Sequence, residues 1–377
     1  MKARKMYPDD PVFPAPRLPL SRRMLLSGGL ALGATALAGA SPLAAAGATG
    51  GAQRRQLGVP LFVDTSRDLV RHTSTFVESW YVNAAFESGG RILGFEWHQG
   101  VTAMGSATEF LVMNATDDIW RPYAAAEPAL EAVGASTTEM KVWSTVGSLT
   151  GDRSEMRLKA VNGNNAVDVV MRPQAAELYN GTTGLLPFLG TESYEFAFPN
   201  MVTRGTITID GEVHAVDTDA VWFDRQWGSA DGLTPEDLAR NAALVNQAHW
   251  TWLGLGFGPG NRAAISFWDV MGEDARWTFL TYLREDGVQI NVEAQVGYER
   301  IWTSSETGQR YPGLVKISAP VIDLELVLTA MMTRPEFVYP AGQGHNGGQS
   351  LCHVSGRVGA TRIESHVLFE MIGGIVV

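Results

Sequence analysis

Cysteine occurs once in 377 residues, at Cys352, so the chain can close no internal disulfide. Its fold must rest on a buried core, which 45% hydrophobic content over this length can supply for one large or two ordinary domains. Positive charge is also scarce: 29 Lys and Arg stand against 40 Asp and Glu, a net charge of −11 at neutral pH. That balance argues against nucleic acid and against anionic membrane surfaces as partners, because both are held by basic patches. The acidic residues form no block, and dispersed charge serves solubility more than recognition.

Familiar cofactor and nucleophile signatures are missing too. The histidines at 72, 98, 214, 249, 345, 353 and 366 stand singly, without H-x-H or H-E-x-x-H spacing, so no metal site is expected. Gly254-Leu255-Gly256-Phe257-Gly258 has the wrong spacing for a dinucleotide fingerprint and runs into the strand-like Ala264-Ile265-Ser266-Phe267-Trp268. A glycine-bearing strand entering a hairpin is the better account, and no cofactor is expected. Gly348-Gln349-Ser350-Leu351-Cys352 breaks the G-x-S-x-G elbow at its last position, which argues against a serine hydrolase of α/β type. Cys352 and His353 are strand neighbours and point to opposite faces, so they do not form a thiolate pair.

The N-terminus carries an address. Ser21-Arg22-Arg23-Met24-Leu25-Leu26 is a twin-arginine signature, followed by an apolar Gly/Ala/Leu run to about Ala40 and by small residues at Ala44–Ala48 suited to cleavage. Residues 1–48 are therefore expected to be a signal peptide that engages the twin-arginine export machinery, with the mature protein periplasmic or secreted. An uncleaved anchor is the alternative, but the run is short and Gly/Ala-rich, and no stable membrane span is expected in the mature chain. These 48 residues hold six basic and two acidic groups, so their loss takes the net charge to −15.

Beyond a leader at 49–60 the chain reads as β-strands at short, regular spacing, separated by turn signals such as Ser88-Gly89-Gly90, Asn162-Gly163-Asn164-Asn165 and Asp210-Gly211. This pattern predicts an all-β protein of antiparallel sandwiches or barrels, not βαβ units. One helix stands out, Thr234–Ala248, opening with a Thr cap and Pro235 and placing Leu238, Ala242, Leu244 and Val245 on one face. It divides the mature chain into two β-domains, 60–230 and 231–377.

The segment Trp222-Phe223-Asp224-Arg225-Gln226-Trp227-Gly228 sets one carboxylate between two indoles in a run that otherwise reads as buried strand. Desolvation favours the protonated acid, which suits a general acid near neutral pH, and indole faces stabilise a developing cation. Protonation of a carbon–carbon double bond is the chemistry that fits both. The alternative is a structural ion pair between Asp224 and Arg225 with core tryptophans. Glu78 and Trp80 alternate onto one side of their strand, whereas Glu96 shares its side with His98 and leaves Trp97 facing away. A barrel interior holding Glu78, Trp80, Trp222, Asp224 and Trp252 would suit a lipophilic small molecule; the alternative places the glutamates in solvent.

These motifs coincide with a known family. Glu78-Ser79-Trp80-Tyr81-Val82-Asn83 with Gly89–Glu96 resembles the E-W-W-Y strand and hairpin of the lipocalin-like proteins that include hydroxyneurosporene synthase (carotenoid 1,2-hydratase) and kievitone hydratase. Asn180–Gly184 with Ser193–Pro199, the Gly205–Gly211 hairpin and the W-x-D-x-x-W-G block at Trp222–Gly228 resemble further family segments in the same order, over residues 70 to 372. Ser79 stands where the family has the first Trp, and Glu195 and Ala197 where the carotenoid enzymes resemble H-x-W. The resemblance implies two lipocalin-like β-domains and an exported hydratase, or its reverse dehydratase, acting on an isoprenoid-like alkene. Asp224 is then the proton donor, Trp222 and Trp227 stabilise the cation, and Tyr194 or Glu78 orients water. Trp80, Tyr81, Trp97, Trp250 and Trp252 line the pocket. A shape-driven cyclase or isomerase of pericyclase type and a non-catalytic carrier of lipophilic ligands are the other readings.

Overall fold

The computed structural model describes residues 60–102, 105–127, 133–188, 191–272, 276–339 and 346–376. The expected signal peptide, the leader to residue 59 and most of the Gly342–Gly348 loop lie outside the described residues. The protein is all-β: two curled antiparallel sheets, a half-barrel and a near-barrel, with one α-helix among the described residues. Tight turns fix the antiparallel pairing. Asp210 and Gly211, for example, both take positive φ, 51° and 87°, as the two-residue turn between the longest strands, Ser193–Ile209 and Glu212–Ser229, requires.

In the first sheet the strand Thr75–Ser88 lies between Arg91–Thr102 and Glu212–Ser229, and the latter also pairs with Ser193–Ile209. In the second, His249–Phe257 lies between Ala263–Met271 and Thr361–Ile372, which pairs onward with Gly347–Val358. Two strands accommodate a proline. Ile119–Glu127 contains Pro122 and sits at the sheet edge, where a missing N–H is tolerated. Ser193–Ile209 runs through Pro199 because its register slips between Phe198 and Met201, a bulge at which Asn200 takes φ 57°.

The helix spans Pro235–Gln247. Thr234 caps it reciprocally: its Oγ1 accepts from the Asp237 N–H at 3.2 Å, while the Asp237 carboxylate accepts from the Thr234 N–H at 3.1 Å. Leu244, placed by periodicity on the apolar face, is 38% exposed, so the helix is a connector that buries little. Among the described residues, no helix is long and apolar enough to cross a membrane.

Strand alternation sorts the apolar side chains into layers. One cluster, with Trp80, Trp97, Phe196, Phe223 and Trp227, fills the hollow of the first sheet; another, with Leu253, Phe267 and Phe369, fills the second. Two further clusters lie between the sheets. One joins Tyr81, Ala197 and Trp222 to Trp252 and Trp268, and the other joins Leu111 and Met113 to Leu351 and Leu368. Close approach at this seam needs glycine. A Cβ on Gly254 would fall 2.4 Å from the Trp222 ring, and one on Gly94 would fall 2.5 Å from Leu351.

Candidate active site

Asp224 points into the seam between the sheets, while Arg225, one residue on, points into the hollow of the first sheet. Arg225 is fully buried there, ion-paired with Glu78 and donating to the carbonyls of Asp68, Val70 and Gln226 at 2.7–2.9 Å. Its guanidinium lies 4.1 Å from the Trp80 ring centre and 5.0 Å from that of Trp227. The alternative reading, an Asp224–Arg225 ion pair, is thus not what the structure shows: Arg225 belongs to Glu78, and Asp224 is left without a cation beside it.

The same alternation corrects other expected positions. Glu78, Trp80, Trp97, Tyr194 and Trp227 all face the hollow of the first sheet, not Asp224. Glu78 also accepts from the His72 N–H at 2.8 Å and from Thr75 Oγ1 at 3.0 Å, and Tyr194 stacks on Trp227 at 5.3 Å with its hydroxyl on Glu192. Trp222 shares the seam with Asp224, as do Tyr81, Trp250 and Trp252. A surface cleft beside His72, lined by Arg71, Thr75, Val101 and Thr102, does not reach these groups.

On the seam face of the first sheet the register sets one row across adjacent strands: Ala197, Asp224, Tyr81, His98 and Glu109. The neighbouring row contains Trp222, Asn83 and Glu96, and a third contains Glu195, Gln226 and Ser79. The second sheet contributes a row of its own, Gln349, Glu370, Trp252 and Trp268. The two meet where the Tyr81 and Trp252 rings touch edge to face at 5.4 Å, with Trp222 at 5.9 Å from Trp252.

Carboxyl groups concentrate here. Burial pushes Asp224 well above the usual carboxylate range; the Trp222 indole works against the rise and the Glu370 charge adds to it. Glu195, with no exposed surface, is raised by burial and then by Asp224 and Glu370. Glu96 is raised by burial and by the charges of Glu109 and Glu370, although Tyr81 donates to its Oε2 at 3.0 Å. Glu370, raised mainly by burial, accepts from Trp250 Nε1 at 2.5 Å and from Gln349 Nε2 at 3.1 Å.

Glu109 behaves in the opposite way. Burial would raise it, but His98 and Tyr339, whose hydroxyl donates at 2.8 Å, hold it below its ordinary value. His98 has Nδ1 3.3 Å from Glu109 Oε2 and Nε2 2.9 Å from Ser79 Oγ; burial would lower it, and Glu109 outweighs burial to raise it. The seam therefore holds carboxyl groups pushed toward their neutral form beside a hydrogen-bonded carboxylate–imidazole couple, Glu109 and His98. Several buried polar atoms find no hydrogen-bond partner in the protein: both carboxyl oxygens of Glu195, Oδ1 of Asp224, Oε1 of Glu96, Nδ2 of Asn83, Oε1 of Gln349 and the indole nitrogens of Trp222 and Trp268. Such a concentration at one place makes the seam the candidate binding site, since buried polar groups are mostly satisfied. Among the described residues, no three His, Cys, Asp or Glu are grouped to hold a metal ion.

Glu195, Glu109 and Glu370 were not singled out as site residues from sequence. Glu195 did carry a signal, as a departure from the family motif, and Glu96 and His98 were read correctly as sharing a strand face.

The chain and its fold have counterparts among known proteins. A family model described as AttH-like matches residues 62–343. Kievitone hydratase of Fusarium solani subsp. phaseoli is 26% identical over 232 residues, 56% of this chain and 62% of that protein. Dehydratase asqC of Emericella nidulans is 25% identical over 178 residues, 45% of this chain and 47% of that protein. The chain thus spans less than two thirds of the length of either curated relative. Among solved structures, a protein described as an AttH from Nitrosomonas europaea superposes with a TM-score of 0.69 at 18% identity, over 85% of this chain and 98% of that one. Kievitone hydratase from Nectria haematococca gives 0.69 at 17%, over 84% and 94%.

Proposed function

The chain belongs to the AttH-like family, and from that membership and the chemistry of the seam we propose that it is a hydratase or dehydratase acting on a carbon–carbon double bond of a lipophilic small molecule. The observation that carries this reading is Asp224: a buried carboxyl, kept protonated by its surroundings, with the Trp222 ring on the same strand face and the Trp252 ring across the seam. A neutral acid can give its proton to an alkene carbon, and the indole faces stabilise the cation that forms on the adjacent carbon. Two relatives, a kievitone hydratase and a dehydratase, bear names of this reaction type in its two directions.

The substrate is an uncharged, largely apolar molecule of isoprenoid-like character. Aromatic walls favour it, and burial of the seam, which disfavours charged groups, opposes an ionic ligand. The test is incubation of the purified protein with a panel of lipophilic alkenes and tertiary alcohols in H₂¹⁸O, read by mass spectrometry for ¹⁸O gained or water lost. Asp224→Asn keeps the shape and removes the transferable proton, so turnover should fall at least about 10²-fold with melting unchanged. A fully active Asn variant removes Asp224 from the mechanism and favours a shape-driven cyclase. Binding without turnover of any panel member favours a carrier.

The twin-arginine signature supports export of the folded chain to the periplasm or beyond.

A further inference from the structure

We propose that His98 is the second catalytic group of the seam, exchanging a proton with the water oxygen while Asp224 exchanges one with carbon, both from the same face of the double bond. The proposal rests on the hydratase reading and adds to it the partner group and the stereochemical course.

Register carries the argument. Asp224, Tyr81 and His98 are direct neighbours on three adjacent strands and share one face. Two strand spacings separate Asp224 from His98, about 9–10 Å between backbones. Both side chains project from that one face, and in the proposal the two-carbon unit and its water lie over the face between them. Tyr81 forms the floor between them, its ring 5.7 Å from that of His98.

His98 is held as a proton carrier. Glu109 takes Nδ1, which leaves Nε2 as the exchanging nitrogen, and Tyr339 fixes Glu109 in turn. Ser79 Oγ, 2.9 Å from Nε2, marks a position that a water oxygen can share or be steered from. Ser79, His98 and Glu109 also have the order of a nucleophilic triad. The serine lies within a paired strand, however, whose N–H groups are committed to the ladder, so the backbone offers no pair of donors for an oxyanion.

The step balances as follows. In hydration the Asp224 O–H bond breaks and its proton forms a C–H bond with one alkene carbon. The cation on the other carbon takes the water oxygen as a C–O bond forms, and the water proton passes to His98 Nε2, its charge offset by Glu109. Return of that proton to Asp224 through solvent restores the protein, so only alkene and water are consumed. Dehydration runs the same path backward. Because both groups project from one sheet face, hydrogen and hydroxyl add syn.

Three experiments decide this. Diethyl pyrocarbonate modification, mapped by mass spectrometry with farnesol as the probe, should slow at His98, whose side chain is 25% exposed, and stay unchanged at His353. An unprotected His98 overturns the placement of the site whether or not any alkene is turned over. With an alkene identified in the H₂¹⁸O screen, His98→Gln should lower kcat about 10²-fold, and imidazole should rescue His98→Ala. The unaltered protein in ²H₂O should give the syn product by NMR, a readout independent of variant folding. Anti addition, or full activity in a folded His98→Gln protein, overturns the proposal. A screen with no product is the failure of the hydratase reading instead, and the protection result still stands.

Discussion

Asp224 and Arg225 are adjacent in sequence and live in different environments, and each makes a separate prediction. Arg225 and Glu78 form a buried pair on which the segment from Asp68 to His72 is anchored through backbone carbonyls. Glu78→Gln leaves that guanidinium without its countercharge and should cost about 3–5 kcal/mol, read as a lower melting temperature. Burial alone would raise Glu78, but Arg225 and His72 hold it below 4.5. An acid lowered on folding stabilises above its unfolded pKa, so this contribution is present at neutral pH and is lost as pH falls below about 4.5 through the folded value. His72 is raised above 6.5 by Asp68 and Glu78 against its burial, so its contribution is complete below that value and fades as pH rises above it. Glu195 has the opposite sign to Glu78. Its pKa is raised on folding, so the unfolded chain releases the proton first and stability falls as pH climbs from 4.5 toward the folded value, by about 1.4 kcal/mol per pH unit. Glu195→Gln should flatten that slope and melt higher than the parent at pH 8 but not at pH 4. Equal slopes in the two proteins would show that Glu195 ionises freely.

At the scale of strands, the seam depends on glycines that let aromatic rings come close. Gly254→Ala drives a methyl group into the Trp222 indole and should destabilise by about 1–3 kcal/mol, with a loss of ligand binding larger than the stability change alone implies. Isothermal titration with a bound alkene, beside a melting curve, separates the two effects. What the sequence made legible follows the same division. Alternation within one strand was readable, so Glu78 with Trp80 and Glu96 with His98 were paired correctly on their faces. Which strand face met which was not readable, because register between Thr75–Ser88 and Glu212–Ser229 is set by pairing across about 140 residues of intervening chain. Opposing Tyr81 to Asp224, and not Trp80, is a single-residue difference that moves Glu78 to the other side of the sheet, whereas Trp227, three residues from Asp224 on one strand, faces away from it by alternation alone. Proline is accommodated at the same scale. Pro122 and Pro199 argue against strand locally, and the edge and the bulge that accept them are properties of the sheet.

For the whole molecule, the proposed export signal and the long-range pairing of the sheets each make a prediction. Arg22 and Arg23 replaced by Lys should trap the precursor in the cytoplasm, visible by fractionation, because the receptor distinguishes the guanidinium pair from charge alone. Unchanged export would retire the signal assignment. The closure of each sheet has a kinetic consequence. Thr75–Ser88 waits for Glu212–Ser229, and His249–Phe257 waits for Thr361–Ile372, so both pairings join segments that leave the ribosome far apart in time. Contacts of such long range are formed late and slowly, and the strands awaiting partners have open edges meanwhile. Glu370 arrives on the last of these strands, so the seam between the sheets is complete only after the final closure, and a chain cut short before Thr361 lacks one of its walls.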